Sequence, residues 1–504
     1  ADSPEALATV LSTIVASSVA TDIPSGPGAA SNDFIGSSST TPVQTLMSGW
    51  TEYPEWKGHV NRELCSDPDP SDPNAIASWC QNGAFSTVEP TFGPCPQSRV
   101  WDAGTCLSQT AWSDRRLYFT DSNNNVLPIF DTGGTVNSAF VTELNSSDLG
   151  VAGAPYDSTA ATSIAKFIAG KDWKGGWKLP GLAASAPVLV RRIPKPNLST
   201  TPSVGIRDPH CAGRVMSNAD QVATSLVNFA SNKWDPVNKL SSPSTHFEYQ
   251  EFVMAADDLG LIHAFQYDSG NELWAVIPRF SLANAVAQYA HGPESMGQSS
   301  KVAEHIYGVS STVNQGWVYD SNASKWRHLA IIGMGEGGTH YMVFDVSHAS
   351  PSSPSGPLEL LWTTADPGLT ATYGPRLGET WSRPALVYTV ANDQITDVPT
   401  PYFLMGSGYP SSPTTAPAQG RSLMLVDAIT GNLVQSAELP VPSNSLYEAS
   451  YAAVTDVAVG SHCVSRYWAE MQESYYADPA GRLFRWDLGR ETAHESDGGG
   501  SGPW

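Results

Sequence analysis

Three short runs decide the fold class of this chain: Glu251-Phe-Val-Met-Ala255, Leu261-Ile-His-Ala-Phe265 and Glu272-Leu-Trp-Ala-Val276. Each is apolar, rich in β-branched and aromatic residues, and separated from the next by turn residues, which is typical of β-strands. The run Ser185-Ala-Pro-Val-Leu-Val190 adds a fourth predicted strand to the same group. A long insertion, residues 194–246, separates this strand from the other three.

Similar groups of short predicted strands recur along the chain. They lie at residues 305–308, 326–332, 339–344 and 358–362, then 384–387, 402–405, 422–426 and 433–434 onward, then 452–454, 467–476 and 482–486. An earlier pair, 116–120 and 126–130, is predicted to belong to a further group. Repeated four-stranded units are the sequence form of propeller blades, because one blade cannot bury its apolar faces alone. We therefore predict an all-β fold, a β-propeller of about seven four-stranded blades; a pair of β-sandwiches is the alternative.

The turn between the third and fourth strands recurs most clearly. Tyr267-Asp-Ser-Gly-Asn-Glu-Leu-Trp274 aligns with Ala428-Ile-Thr-Gly-Asn-Leu-Val434. Gly270 and Gly431 fall at the position that requires a positive φ, which only glycine adopts without a steric penalty. Trp274 and Trp362 close two of the groups and are expected to pack between blades.

Composition restricts the classes of protein and partner. The 504 residues include 43 glycines and 38 prolines with only 15% charged residues, a balance that favours short strands and turns. Acids outnumber bases 49 to 27, for a formal net charge of −22, so a nucleic acid is not expected as a partner. No run of 18 apolar residues occurs, so we predict no membrane span.

The N-terminal segment is predicted to differ from the rest of the chain. Apolar residues between Leu7 and Val19 recur at helical spacing and indicate one amphipathic helix. The polar stretch 25–41, rich in Gly, Ser and Pro, is predicted to be a linker. The expected domains are therefore 1–45, with this helix and linker, and 46–504, with the propeller, a Cys-rich loop at 65–106 and the insertion at 194–246.

Six cysteines favour an oxidising, extracellular compartment, with six free thiols in the cytoplasm as the alternative. They form no CxxC motif, so neither a zinc ribbon nor an attached haem is predicted. Proximity alone predicts three disulfides. They are Cys65–Cys80, Cys95–Cys106 and the remaining long-range pair Cys211–Cys463.

Two motifs suggest chemistry at first sight. Gly333-Met-Gly335-Glu-Gly-Gly338 matches the dinucleotide fingerprint, but strand-forming residues follow it where the fingerprint requires a helix. We predict a hairpin turn rather than a nucleotide site. Asp121-Ser-Asn-Asn-Asn125 has partial calcium-ligand spacing, but Val126 replaces the usual glycine, so a turn is predicted there as well. No catalytic, cofactor-binding or metal-binding residues are predicted.

A set of motifs occurs along the chain in a fixed order: Gly176-Trp-Lys-Leu179, Ser185-Ala-Pro-Val188, Asp258-Leu-Gly-Leu-Ile-His-Ala-Phe265, Glu272-Leu-Trp274, Trp326-Arg327, Gly335-Glu-Gly-Gly338, Phe344-Asp-Val346, Gly406-Ser-Gly-Tyr409 and Ala480-Gly-Arg-Leu-Phe-Arg-Trp-Asp487. In these motifs, and over most of its length, the chain resembles the PilY/PilC family of type IV pilus-tip adhesins. The amphipathic helix and Trp56-Lys-Gly58 resemble the segment that precedes the propeller in that family.

The resemblance implies a non-enzymatic, extracellular protein at the pilus tip. Its expected roles are pilus assembly, adhesion to a host or abiotic surface and twitching motility, with minor pilins as partners. At the place of the family's calcium loop this chain has Asp456-Val-Ala-Val-Gly460, and only Asp456 keeps a ligand, so calcium is not carried over. The family's upstream von Willebrand factor A-like domain is not seen.

Two alternatives to a pilus-tip adhesin stay open. One is a quinone-dependent propeller dehydrogenase, which resembles the chain at the level of single blades but typically carries adjacent cysteines near the cofactor; no Cys-Cys pair occurs here. The other is an extracellular propeller scaffold unrelated to pili.

Overall fold

The computed structural model describes most of the predicted strand groups, and the fold is mainly β with a few short helices. The described residues are 23–24, 29–34, 42–52, 56–65, 101–171, 173–182, 184–190, 252–267, 269–291, 305–323, 325–347, 357–389, 400–410, 419–438, 456–463, 469–478 and 482–487. The predicted helix between Leu7 and Val19 and the insertion 194–246 lie outside them.

The first sheet has five strands. They are β1 Ile23–Pro24, β2 Ala29–Phe34, β3 Pro42–Glu52, β4 Lys57–Cys65 and β5 Trp101–Asp102. The predicted linker is wrong at Ala29–Phe34, because β2 pairs antiparallel along β3, from Ala29 opposite Met47 to Phe34 opposite Pro42. The unpaired edge of a long strand offers backbone hydrogen-bond donors and acceptors, and a polar segment can pair with them whatever its side chains are. Strand β3 also crosses the boundary predicted at residue 45.

The second sheet has six strands in the order β7-β6-β11-β10-β9-β8. They are β6 Leu117–Thr120, β7 Val126–Pro128, β8 Val188–Val190, β9 Phe252–Ala256, β10 Ile262–Gln266 and β11 Glu272–Ile277. The last four are the first predicted group. The earlier pair, β6 and β7, does not belong to another group: β6 lies parallel to β11, with Leu117 opposite Ala275. Parallel pairing between strands so far apart in the sequence produces no local pattern. The periodicity of the sequence therefore could not predict that β6 pairs with β11.

The third and fourth sheets are antiparallel, and each has four strands in chain order. The third contains β12 Asn314–Asp320, β13 Lys325–Gly333, β14 Tyr341–Asp345 and β15 Glu359–Thr363; the fourth contains β16 Ala385–Thr389, β17 Thr400–Gly406, β18 Ser422–Asp427 and β19 Leu433–Glu438. The strand predicted at 305–308 is wrong. His305 instead stacks on Trp56, with ring centroids 3.6 Å apart, and its Nε2 lies 3.1 Å from Asp258 Oδ2.

The fifth sheet has three described strands. They are β20 Ala458–Cys463, β21 Ala469–Ala477 and β22 Leu483–Asp487, in the order β20-β21-β22. The strands predicted at 467–476 and 482–486 are confirmed as β21 and β22, whereas 452–454 lies outside the described residues.

In the part of the chain that the structure describes, five short α-helices connect the strands. They are α1 Ala103–Gln109, α2 Ser138–Leu144, α3 Ser158–Ile168, α4 Leu282–His291 and α5 Thr370–Tyr373. Asp102, Asn137 and Asp157 each accept a hydrogen bond from a backbone amide in the first turn of α1, α2 and α3, so ordinary N-caps start these helices. Among the described residues, no helix is both long and apolar enough to cross a membrane.

Backbone contacts divide the chain into two compact units. The first contains Ala1–Asn123, Leu127–Leu189 and Phe252–Thr312; the second contains Asn124–Val126, Val190–Glu251 and Val313–Trp504. In the first unit, Phe119 and Ile277 of the second sheet pack with helix residues such as Phe140 and Ile164. In the second unit, one cluster contains residues of the third and fourth sheets together, so these two sheets bury their apolar faces against each other.

Candidate functional site

The first unit contains a tryptophan that docks on a strand-connecting turn. Trp101 is 1% exposed, and its Nε1 donates to the Tyr267 carbonyl at 2.9 Å. Gly270, in the turn between β10 and β11, has φ +72, and a Cβ there would lie 2.7 Å from the Trp101 ring. The missing side chain therefore makes room for the indole.

The second unit repeats this contact at the aligned positions. Trp362 Nε1, on β15, donates to the Ala428 carbonyl at 3.1 Å, and Gly431 between β18 and β19 has φ +74. The two predicted positive-φ glycines are therefore confirmed, and so is the packing of Trp362 between two sheets. Trp274 is fully buried, but its Nε1 has no hydrogen-bond partner among the described residues, so it does not make the same contact there.

A second repeated contact stands before the first strand of two sheets. Ser185 Oγ accepts a hydrogen bond from the Ala256 amide at 2.9 Å, and Ser382 Oγ accepts one from the Gly406 amide at 3.1 Å. Both serines are fully buried and belong to a Ser-x-Pro sequence. In each sheet the hydroxyl satisfies an amide at the end of the second strand, which fixes the start of the sheet.

A buried network of ionisable groups crosses the second sheet. His263 Nε2 lies 2.8 Å from Asp257 Oδ2, and its Nδ1 lies 2.8 Å from Glu272 Oε1. Arg115 donates two hydrogen bonds of 2.8 Å to the two carboxylate oxygens of Glu272. Since each ring nitrogen of His263 faces a carboxylate oxygen, both must donate, so this histidine is an imidazolium.

The protonation states in this network follow from its geometry. Burial alone would lower the pKa of His263, but the hydrogen bonds and charges of Asp257 and Glu272 raise it above 6.5. Burial alone would raise the pKa of Glu272, but Arg115 and His263 together lower it to about 2. The side chains of His263 and Asp257 have no exposed surface, and that of Glu272 is 3% exposed. The network is therefore a closed part of the scaffold.

The glycine-rich motif forms the turn that the sequence predicts. It joins β13, which ends at Gly333, to β14, and no helix follows it. Thr380 Oγ1 accepts hydrogen bonds from the amides of Met334 at 2.8 Å and Gly335 at 3.2 Å. Two amides that a dinucleotide fingerprint would offer to a pyrophosphate are thus already paired with this hydroxyl.

Next to this turn, the segment before β16 forms a surface that we call the Trp381 platform: Glu379, Trp381, Arg383, Tyr409 and Asp456. Glu379 and Tyr409 exchange two backbone hydrogen bonds, of 2.6 and 2.8 Å. Trp381 is 40% exposed, and its Nε1 donates to Glu379 Oε2 at 2.9 Å. The Arg383 amide donates to Asp456 Oδ1 at 3.0 Å, which joins the start of the fifth sheet to this segment.

The motifs considered for metal binding have other roles. Asp456 is exposed and pairs with a backbone amide, as described above. Asp121 accepts a hydrogen bond from the Asn123 amide at 2.9 Å, and Asn124 has φ +63, so the predicted turn is confirmed. Among the described residues, no three His, Cys, Asp or Glu side chains come together in a way that would hold a metal ion.

The cysteine pairing stays a prediction. Cys106, in α1, is fully buried and disulfide-bonded. The side chains of the other five cysteines, at positions 65, 80, 95, 211 and 463, lie outside the described residues.

Sequence reasoning missed several residues of these sites. Trp101 docks as Trp362 does, but it stands outside the strand groups, so alignment of the groups did not include it. Trp381 does have a signal in the sequence: Ser382-Arg-Pro384 repeats Ser185-Ala-Pro187, and a tryptophan directly before such a motif stands at the start of a sheet. Its exposure could be known only from the structure.

Comparisons with known proteins support one relationship. No family model matches the sequence. A protein of Xylella fastidiosa described as a type IV pilus biogenesis factor PilY1 homolog is 28% identical over 188 residues, which are 37% of this chain and only 12% of that protein.

Two solved structures are similar to parts of this chain. The C-terminal domain of Pseudomonas aeruginosa PilY1 gives a TM-score of 0.31 at 19% identity, covering 47% of this chain and 38% of that one. BamB of Moraxella catarrhalis gives a TM-score of 0.24 at 11% identity, covering 47% and 46%. These TM-scores are too low to establish a shared fold, so the relationship rests on the sequence match. By that match, the chain is similar to a PilY1 homolog over 37% of its length, and it spans only 12% of that protein.

Proposed function

We propose that this chain is a β-propeller region of a type IV pilus protein that acts at the pilus tip, outside the cell, by binding and not by catalysis. The observation that carries the proposal is the match of 188 residues to a type IV pilus biogenesis factor. Under this proposal the chain supports pilus assembly and twitching motility, and adheres to a host or abiotic surface.

The repeated contacts support the propeller. Trp101 and Trp362 each reach a third-to-fourth-strand turn of a neighbouring sheet, and two serines cap the sheets in the same way. Contacts that recur at one position of successive units are expected where each sheet packs only against its neighbours around an axis.

The buried network supports a binding role over an enzymatic one. His263, Asp257 and Glu272 are the groups with the most suitable chemistry for acid–base catalysis, and each has at most 3% of its side chain exposed. A general base must reach the proton that it removes. The hydrogen bonds of these groups are to one another, to Arg115 and to the backbone amides of Gly260 and Leu261.

Pilin-like subunits are the partners that we propose, with backbone strand pairing as part of the contact. Strand β22 is last in the order β20-β21-β22, and Leu483 on it is 72% exposed. An edge strand is a template for a strand of another chain.

The test is purification of the native assembly through a tag on this chain, followed by identification of every protein in it. Co-purification of pilin-like subunits that persists in moderate salt supports the proposal. Leu483→Lys is expected to reduce the yield of these subunits, whereas Val434→Lys, at a position that is 52% exposed on β19, leaves it unchanged. A monodisperse monomer without any pilin-like subunit would refute the proposal.

A further inference from the structure

The Trp381 side chain is both exposed and fixed. The residue is 40% exposed, and its indole N–H donates to Glu379 Oε2 at 2.9 Å. Its backbone amide donates to the Glu379 carbonyl at 2.9 Å. The ring therefore has one defined orientation, and little rotational freedom is lost when something stacks on it.

The backbone beneath the ring is rigid. Neither Gly378 nor Gly408 has room for a Cβ, which would collide with the carbonyls of Tyr409 and Glu379 respectively. The two segments that contain these glycines are held together by the hydrogen bonds between Glu379 and Tyr409. The tight packing leaves no room for a side chain at either glycine.

Hydrogen bonds join the Trp381 segment to polar residues. The four other platform residues are three charged side chains and the half-buried Tyr409. A stable protein–protein interface buries on the order of 1,000 Å² or more in total around an apolar core, and one indole does not provide such a core. A better match is a ligand with one flat apolar face and a rim of hydrogen-bonding groups.

A pyranose ring has this chemistry, because its axial C–H groups form an apolar face and its hydroxyls point outward around the rim. The Glu379 and Asp456 carboxylates are acceptors for hydroxyls, and the Arg383 guanidinium is a donor. The formal net charge of −22 disfavours a polyanionic saccharide. We propose that the Trp381 platform binds a neutral saccharide by stacking it on the Trp381 ring. The further role of this saccharide as a receptor for adhesion rests on the proposed function.

The test uses the full chain and an array of neutral cello-, chito- and galacto-oligosaccharides, with heparin oligosaccharides as the polyanionic arm. We expect binding to at least one neutral series and none to heparin. The best oligosaccharide is then titrated while tryptophan fluorescence is recorded. Trp381→Ala is expected to weaken binding by tenfold or more, and Trp381→Phe, which keeps a flat ring, to weaken it less.

Two controls make the result specific. Val434→Ala removes an exposed apolar side chain elsewhere in the second unit and is expected to leave saccharide binding unchanged. The melting temperature of each variant shows whether it folds. Equal binding by the wild type and Trp381→Ala would overturn the proposal, as would binding to heparin alone or to no saccharide. Loss of pilin-like subunits is scored separately in the assembly assay, so that failure of the pilus role and failure of this site remain distinguishable.

Discussion

Replacing Gly431 by alanine tests the repeated tryptophan contact most directly. Gly431 has φ +74, and its carbonyl accepts a hydrogen bond from the Tyr373 hydroxyl at 2.7 Å, so the turn cannot easily rotate. A left-handed conformation costs an L-residue about 1–2 kcal/mol. The new Cβ would also lie 2.6 Å from Trp362 Cδ2, and overpacking of this kind costs about 1–3 kcal/mol. We expect a total loss of about 2–5 kcal/mol.

Two other glycines separate the two contributions. Gly134 also has φ +74, but a Cβ there would meet nothing within 4 Å, so Gly134→Ala should cost only the backbone strain of about 1–2 kcal/mol. Gly368 lies in the second unit, with no positive φ and nothing within 4 Å, so Gly368→Ala should change stability by about 0.5 kcal/mol or less.

The assay is hydrogen exchange measured by mass spectrometry along a denaturant series, because a chain with two compact units need not unfold in one step. Peptides from β18 and β19 report on Gly431→Ala and Gly368→Ala, and peptides around Asp131 report on Gly134→Ala. The steric reasoning is refuted if Gly431→Ala loses no more stability than Gly134→Ala. In that case the packing of the Trp362 ring against this turn would not require a residue without a side chain at position 431.

The remaining predictions concern acid stability, the disulfides and nucleotides. Burial alone would raise the pKa of Glu272, but Arg115 and His263 lower it to about 2. The stabilisation from its charge is therefore fully present above about pH 4.5 and is lost as the pH falls toward 2. Over this range, the free energy of unfolding should decline less steeply for Glu272→Gln than for the wild type. Peptide mapping without reduction should find Cys95 joined to Cys106, and a different partner for Cys106 would contradict the proximity assignment. Titration with NAD or ATP should produce no saturable thermal shift, and a saturable one would reopen the nucleotide interpretation of the glycine-rich turn.

The sequence predicted many of the strands whose pairing is local, although it missed β2, β12 and β20. Strands β9 to β11 and β13 to β19 were found because apolar alternation and turn residues lie within a few positions of one another. The turn glycines were found for the same reason, since the conformation at Gly270 and Gly431 depends on the turn itself.

The rest depends on contacts between distant residues. His305 leaves the predicted strand because Trp56 and Asp258 bind its ring. Strand β2 is different: it pairs with the next strand in the chain, but its sequence is polar and did not indicate a strand. The sequence also does not predict the His263 network, because a histidine in an apolar run does not indicate which carboxylates it will contact. Exposure of Trp381 is likewise a property of the folded surface and not of the sequence around it.

The parallel pairing of β6 with β11 has a consequence for the order of folding. Leu117 and Ala275 face each other across about 160 residues, so the second sheet cannot be completed until most of that length has been synthesised. All four strands of the fourth sheet, in contrast, lie within about 54 residues and pair with their immediate neighbours in the chain. Strand β6 thus leaves the ribosome long before its parallel partner β11, and until then the unpaired edge of β6 is available to the wrong partner. A chain of this design gains from a holding chaperone that covers its N-terminal part during synthesis.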